Sequence, residues 1–123
     1  MRFSLAGDVT EIDWKGNETE QYVMYVGTND KDTYTQLIST EQAIDILDEI
    51  CLKYLDGYTI QMGYGRWTDE KGIKTNENTI ICYFDHTDIN TVYQIADEVI
   101  DTLNQNSVLI DTNRISSEYY TGK

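Results

Sequence analysis

From Glu20 onward the apolar residues fall into blocks whose period switches between that of a strand and that of a helix. Tyr22-Val23-Met24-Tyr25-Val26 is a short β-rich run closed by Gly27, which predicts a central strand, and the polar stretch 28–32 behind it is turn chemistry. Ser39-Thr40-Glu41-Gln42 has the form of a capping box, with the Ser39 hydroxyl accepting an early helix N–H while Gln42 reaches back. Ala43, Ile46, Leu47, Ile50 and Tyr54 then recur at three- and four-residue spacing, with Asp45, Asp48 and Glu49 mostly on the other side. That is the pattern of a half-buried helix, for which Gly57 offers a left-handed stop.

Residues 58–64 alternate large side chains with small or polar ones, the period of a strand with one buried face. Asp69-Glu70-Lys71-Gly72 turns the chain, and Thr79 to Phe84 reads as the returning strand of a hairpin. From about Asp88, the residues Val92, Ile95, Ala96, Val99, Ile100 and Leu103 mark one face of a second helix, and residues 107–110 form a last short strand. Residues 1–19, with Phe3, Leu5, Val9, Ile12 and Trp14, suit a weak hairpin or an oligomer arm; residues 20–111 make the core, and 112–123 a polar tail or flap. The order β-α-β-β-α-β predicts one α+β domain with a ferredoxin-like, split β-α-β antiparallel sheet and both helices on a single face. The opposite face then carries a heavy aromatic load, for which Tyr22, Tyr58, Tyr64 and Tyr83 are the candidates. That load predicts a homo-oligomer, a dimer or an assembly of dimers, formed through sheet or helix surfaces.

Charge narrows the partners. The 123 residues hold 22 acidic against 9 basic side chains, a formal charge of -13, which opposes bulk nucleic acid and anionic membrane surfaces. No apolar run approaches the roughly 20 residues of a membrane span, and the first residues lack the apolar centre of a signal peptide. Cys51 and Cys82 sit in apolar stretches without CxxC spacing, which predicts buried, reduced thiols and a cytoplasmic protein. An anionic ligand would need a local cationic pocket, and Arg2, Arg66 and Arg114 are the only arginines available to build one.

Three places carry candidate binding chemistry. In Gly63-Tyr64-Gly65-Arg66-Trp67, two glycines allow close backbone approach beside a guanidinium and an indole, so Tyr64, Arg66 and Trp67 are ligand candidates; the plainer alternative is a β-bulge with Trp67 in the core. In the stretch from Phe84 to Asn90, Phe84 can stack on a ring and Asn90 can read a base or ribose edge. The N-terminus of the second helix would supply N–H groups for a phosphate there, unless Thr87 or Asp88 merely caps it and Phe84 is core. Arg114 and Tyr119, with Tyr120, can form a flap over a ligand. His86 is the only histidine and no nucleophile motif accompanies it, so no catalytic residue is assigned; Asp30, Asp32, Asp85 and Asp88 match no metal spacing, and no metal or cofactor is expected.

Through residues 25–33, 57–67 and 80–84, the chain resembles the phage anti-Thoeris sponge family, of the first class described, and also a broader set of ferredoxin-like domains with a similar glycine-and-tryptophan hairpin. The resemblance implies an anti-defence protein that sequesters glycocyclic ADP-ribose, and in some members cyclic oligonucleotides, without cleaving them, hence not an enzyme. It also implies that Phe84 stacks on the adenine, that Asn90 bonds base or ribose, and that Arg66 and Arg114 meet the phosphates. Two other classes fit the composition: an acidic inhibitor that mimics nucleic acid, and a small ferredoxin-like enzyme.

Overall fold

The computed structural model describes residues 2–4, 11–13 and 18–123. Strands β1 (Arg2–Ser4) and β2 (Glu11–Asp13) pair antiparallel, with Phe3 opposite Ile12; Leu5, Val9 and Trp14 lie outside the described residues. The main body runs β3 (Glu18–Gly27), α1 (Thr40–Leu52), β4 (Thr59–Thr68), β5 (Lys74–Asp85), α2 (Ile89–Thr102) and β6 (Leu109–Ser116). Its four strands stand in the order β4-β5-β3-β6, all antiparallel, which is the split β-α-β arrangement expected from the apolar pattern.

Local chemistry explains where the helices start. Ser39 accepts the Gln42 N–H at 3.1 Å and the Gln42 side chain accepts the Ser39 N–H at 3.0 Å, so the capping box is complete. Asp88 caps α2 by accepting the Thr91 N–H at 2.8 Å. The first helix ends differently from expectation. Lys53 closes it in a right-handed conformation, and Gly57 is not among the glycines at positive φ, so the chain leaves α1 without a left-handed glycine.

One core fills the space between the helices and the sheet. Tyr22, Met24 and Val26 of β3, Ile80, Cys82 and Phe84 of β5, Leu47 and Cys51 of α1, and Val92, Ile95 and Val99 of α2 form its centre. Burial pushes the Cys51 thiol up to about 12, with nearby Asp48 adding to the effect, and pushes Cys82 up as well. Among the described residues no helix is long and apolar enough to cross a membrane.

Both hairpin strands run longer than their periodicity suggests. Register is continuous from Thr59 opposite Tyr83 to Thr68 opposite Lys74, so residues 63–67 are regular strand and the bulge alternative is overturned. Asp69 makes the turn: its carboxylate accepts the Lys71 and Ile73 N–H groups at 2.9 and 3.0 Å, and Gly72 takes φ +77. At the other end β6 continues to Ser116, because Glu18 to Tyr25 offer an edge with which it pairs throughout. Arg114 therefore belongs to a strand and not to a flap.

The aromatic residues of the uncovered face are not those anticipated. Tyr22 is in the core, Tyr58 tucks against α1 with its hydroxyl donating to Asp48 at 2.8 Å, and the register puts Tyr64 on the helix side of β4, leaving Tyr83 on the open face. There it shares register rows with Val23 and Thr59; Tyr25, Ile81, Gln61 and Leu109 form the next row.

Candidate active site

The open face ends in a cleft of about 310 Å³, walled by the β3–α1 loop, the tip of the β4–β5 hairpin and the α2–β6 loop. Two glycines, Gly27 in its lining and Gly65 beneath the Trp67 ring, make room for its side chains. A Cβ on Gly27 would lie 2.5 Å from Glu77 Oε2, and one on Gly65 would lie 2.8 Å from the Trp67 indole nitrogen. The Glu77 carboxyl and the Trp67 ring therefore lie along the backbone where any larger residue would exclude them.

Glu77 is half-buried, and its Oε2 accepts the Asn29 N–H at 2.8 Å. Burial raises its affinity for a proton, while the Asn29 and Thr28 N–H groups oppose the rise without cancelling it. A carboxyl held in this way keeps its proton to higher pH than an ordinary surface glutamate does.

The walls are held by polar locks. Asp30 accepts the Asp32 and Thr33 N–H groups at 2.8 and 3.1 Å and the Asn104 side-chain amide at 2.8 Å. The Asn104 contact, foremost, keeps the Asp30 carboxyl below its usual range. Gln105, buried, donates to the Asn29 carbonyl at 2.8 Å, and Lys31 N–H donates to the Asn104 carbonyl at 3.0 Å. Across the opening, the Tyr34 hydroxyl donates to Glu70 and Lys71 lies 5.0 Å from the Tyr34 ring centre. The β3–α1 loop is thus tied to the hairpin on one side and to the end of α2 on the other.

Chemically, the cleft is an acidic pocket with aromatic walls. Asp30, Asp69, Glu70 and Glu77 contribute carboxylates, Lys31 is its one cation, and Tyr25, Tyr34 and Trp67 supply rings. Such a lining favours a cationic, ring-bearing ligand over an anion. Among the described residues no three His, Cys, Asp or Glu side chains come together as a metal site.

The residues singled out from sequence are dispersed. Trp67 is in the cleft and 42% exposed, whereas Tyr64 and Arg66 project on the opposite side of β4, the guanidinium 6.0 Å from the Tyr64 ring. Phe84 is fully buried in the core and unavailable for stacking. Asn90 is exposed on the first turn of α2, but the Asp88 carboxylate already takes that terminus, and its charge works against a phosphate there. Arg114 pairs with Glu18 at the β3–β6 edge, in register with Glu20 and far along the sheet from Arg66, which sits opposite Asn76. Tyr119 stacks on His86, ring centres 6.4 Å apart at 29°. Arg66, Arg114, Phe84 and Asn90 therefore do not build the shared cationic pocket that phosphate capture would need. Sequence reasoning missed Glu77 and Tyr34; Glu77 alternates with the core positions Ile80, Cys82 and Phe84 and reads from sequence as an ordinary outward carboxylate.

The fold and this cleft define a small ferredoxin-like domain with an acidic, aromatic cleft at one end of its sheet. The chain belongs to the family described as Protein of unknown function (DUF3574), whose model matches residues 21–119. Among solved structures it is similar to a phage SAM lyase in complex with S-methyl-5'-thioadenosine, with a TM-score of 0.63 and 18% identity over 83% of this chain and 92% of that one. The apo state of a phage SAM lyase gives the same TM-score and identity over 89% of this chain and 98% of that one. No curated protein matches the chain in sequence. These comparisons correct the expectation of a domain without catalysis, since the fold shared over nearly the whole length is that of an enzyme.

Proposed function

We propose that this protein is a small phage-type enzyme that cleaves S-adenosylmethionine in the Glu77 cleft, an activity of the anti-defence kind because it removes the methyl donor on which modification enzymes depend. The single observation that carries the reading is the Glu77 carboxyl laid on Gly27 in a cleft with four carboxylates, one lysine and three aromatic rings. The likeness in fold to a phage SAM lyase supports it.

The electrostatics select the substrate class. S-adenosylmethionine carries a sulfonium, an ammonium and a carboxylate, so it is a net cation; cyclic ADP-ribose isomers carry two phosphates and are anions. The sponge reading of the sequence needs cations at the site, and with Arg66 and Arg114 apart it has less support than the sulfonium reading. At 4 Å an opposite charge pair is worth about 4 kcal/mol at an effective dielectric near 20, so the sign of the cleft matters.

Release of methylthioadenosine breaks the bond between the sulfonium sulfur and the γ-carbon of the methionine chain. The electron pair of that bond stays on sulfur, which becomes a neutral thioether. In the elimination we favour, the new carbon–carbon double bond takes its electrons from the adjacent C–H bond, and Glu77 accepts that proton. Tyr25, Tyr34 and Trp67 offer ring surface to the adenine and to the sulfonium. The test is incubation with S-adenosylmethionine, followed by chromatography and mass spectrometry. Methylthioadenosine and an unsaturated amino acid are expected; a lactone as co-product would remove Glu77 from the role of base, and substrate recovered intact would sink the reading.

A further inference from the structure

The outer edge of β4 has no strand beside it. This strand of 10 residues pairs with β5 on one side and, among the described residues, with nothing on the other. Such an edge turns every second N–H and C=O outward, and proteins usually blunt it with lysine, proline or a bulge. β4 has none of these: it carries no lysine and no proline, and its register with β5 is unbroken from Thr59 to Thr68.

Two further observations say what the edge fits. Residues 57–68 are the longest stretch of the chain without an aspartate or glutamate, in a protein of charge -13. A second copy is repelled by most of this surface, and least along this strand. The side chains here are also apolar and open. Met62 is 61% exposed although Ile80, its register partner on β5, is fully buried, and Tyr64 is 66% exposed.

We propose that two copies pair antiparallel, β4 to β4, about a two-fold axis at Gly63, joining two four-stranded sheets into one. Opposed residues of antiparallel strands lie on the same face, so this register sets Met62 of each copy against Tyr64 of the other, and Arg66 against Ile60. The thioether–ring contact then occurs twice, and the two guanidiniums stay about 20 Å apart along the strands. The strand is its own complement, which favours a second copy over a strand of another protein.

The proposal is independent of the reaction assigned to the Glu77 cleft. Its test is sedimentation velocity over about 5 to 500 µM protein, in about 0.15 M sodium chloride so that the general negative field is screened. A reversible shift from monomer to dimer is expected. Met62→Lys, at an exposed position, should fold as the parent does and weaken the dimer about tenfold or more. Leu52→Lys, equally exposed on α1, should leave it unchanged. Disulfide trapping reads the register: Met62→Cys mixed with Tyr64→Cys should cross-link faster than either variant alone, since directly opposed Cβ atoms come within reach of a disulfide and diagonal ones do not. The native Cys51 and Cys82 are buried and stay out of the reaction. A monomer at every concentration, an association indifferent to Met62→Lys, or cross-linking no faster in the mixture than in the separate variants overturns the proposal.

Discussion

Gly27→Ala isolates the placement of Glu77 from the integrity of the fold. The new Cβ would stand 2.5 Å from Oε2 and 2.6 Å from both Cδ and Oε1 of Glu77. That is about 1 Å inside normal contact, and the obstructing atoms are the far end of a flexible side chain. The carboxyl should therefore swing away and give up the Asn29 N–H it holds at 2.8 Å. A hydrogen bond to a charged group is worth about 1.5–3 kcal/mol, with the low end apt for a half-buried acceptor. Alanine for glycine in a strand returns about 0.5–1 kcal/mol. The net loss is about 1 kcal/mol, or about 4 °C in melting temperature for a domain of this size. Turnover of S-adenosylmethionine should fall much further, at least tenfold, which corresponds to about 1.4 kcal/mol on the barrier. Melting by circular dichroism and product formation by chromatography read the two effects separately, and Gly57→Ala, where nothing lies within 4 Å, serves as control. Wild-type turnover in Gly27→Ala at a normal folded fraction would show that the seat on Gly27 is irrelevant to function, and the argument from the cleft floor would fail.

Glu77→Gln should turn over substrate at least tenfold more slowly. Burial raises Glu77 above its unfolded value, so the native state binds the proton more tightly and stability declines as pH rises through that interval. The glutamine variant lacks this decline, and its melting temperature relative to the parent should climb between pH 4 and pH 7; a flat difference refutes the assignment. Phe84→Ala should lose about 3–5 kcal/mol in urea unfolding, because the ring is fully buried; a small loss would reopen the stacking role. Arg114→Ala should leave melting and turnover close to those of the parent, since the Arg114 side chain is 60% exposed at the sheet edge and water screens its pair with Glu18. Cys51 and Cys82 should resist a thiol reagent at pH 8 and react fully only in guanidinium, because burial pushes both thiols well above that pH; rapid labelling of the native protein would contradict their place in the core.

The chain by itself determined the framework. A capping box at Ser39, a six-residue apolar stripe on α2 and an Asp-to-Gly turn at residues 69–72 are local signals read within one or two turns of backbone, and each element formed where its signal lies. They settle the order of elements and, with the handedness of the connections, the sheet. Element ends were less legible: residues 65–68 and 111–116 become strand because a neighbouring edge offers them hydrogen bonds, which no local pattern records.

The site was decided in three dimensions. Residue type alone drew attention to rare arginines, yet β4 and β6 stand at opposite edges of the sheet, so Arg66 and Arg114 are separated by the two strands between them. Two-residue alternation sent Trp67 to one face and Arg66 to the other. Glu77 gained its character only when the sheet brought it over Gly27, fifty positions earlier, and surrounded it with loops from three parts of the chain. Sequence fixes which chemistry a chain owns and what each short stretch prefers. Proximity, burial and the sign of the local field come from packing, and they turn one glutamate of an acidic protein into a candidate base.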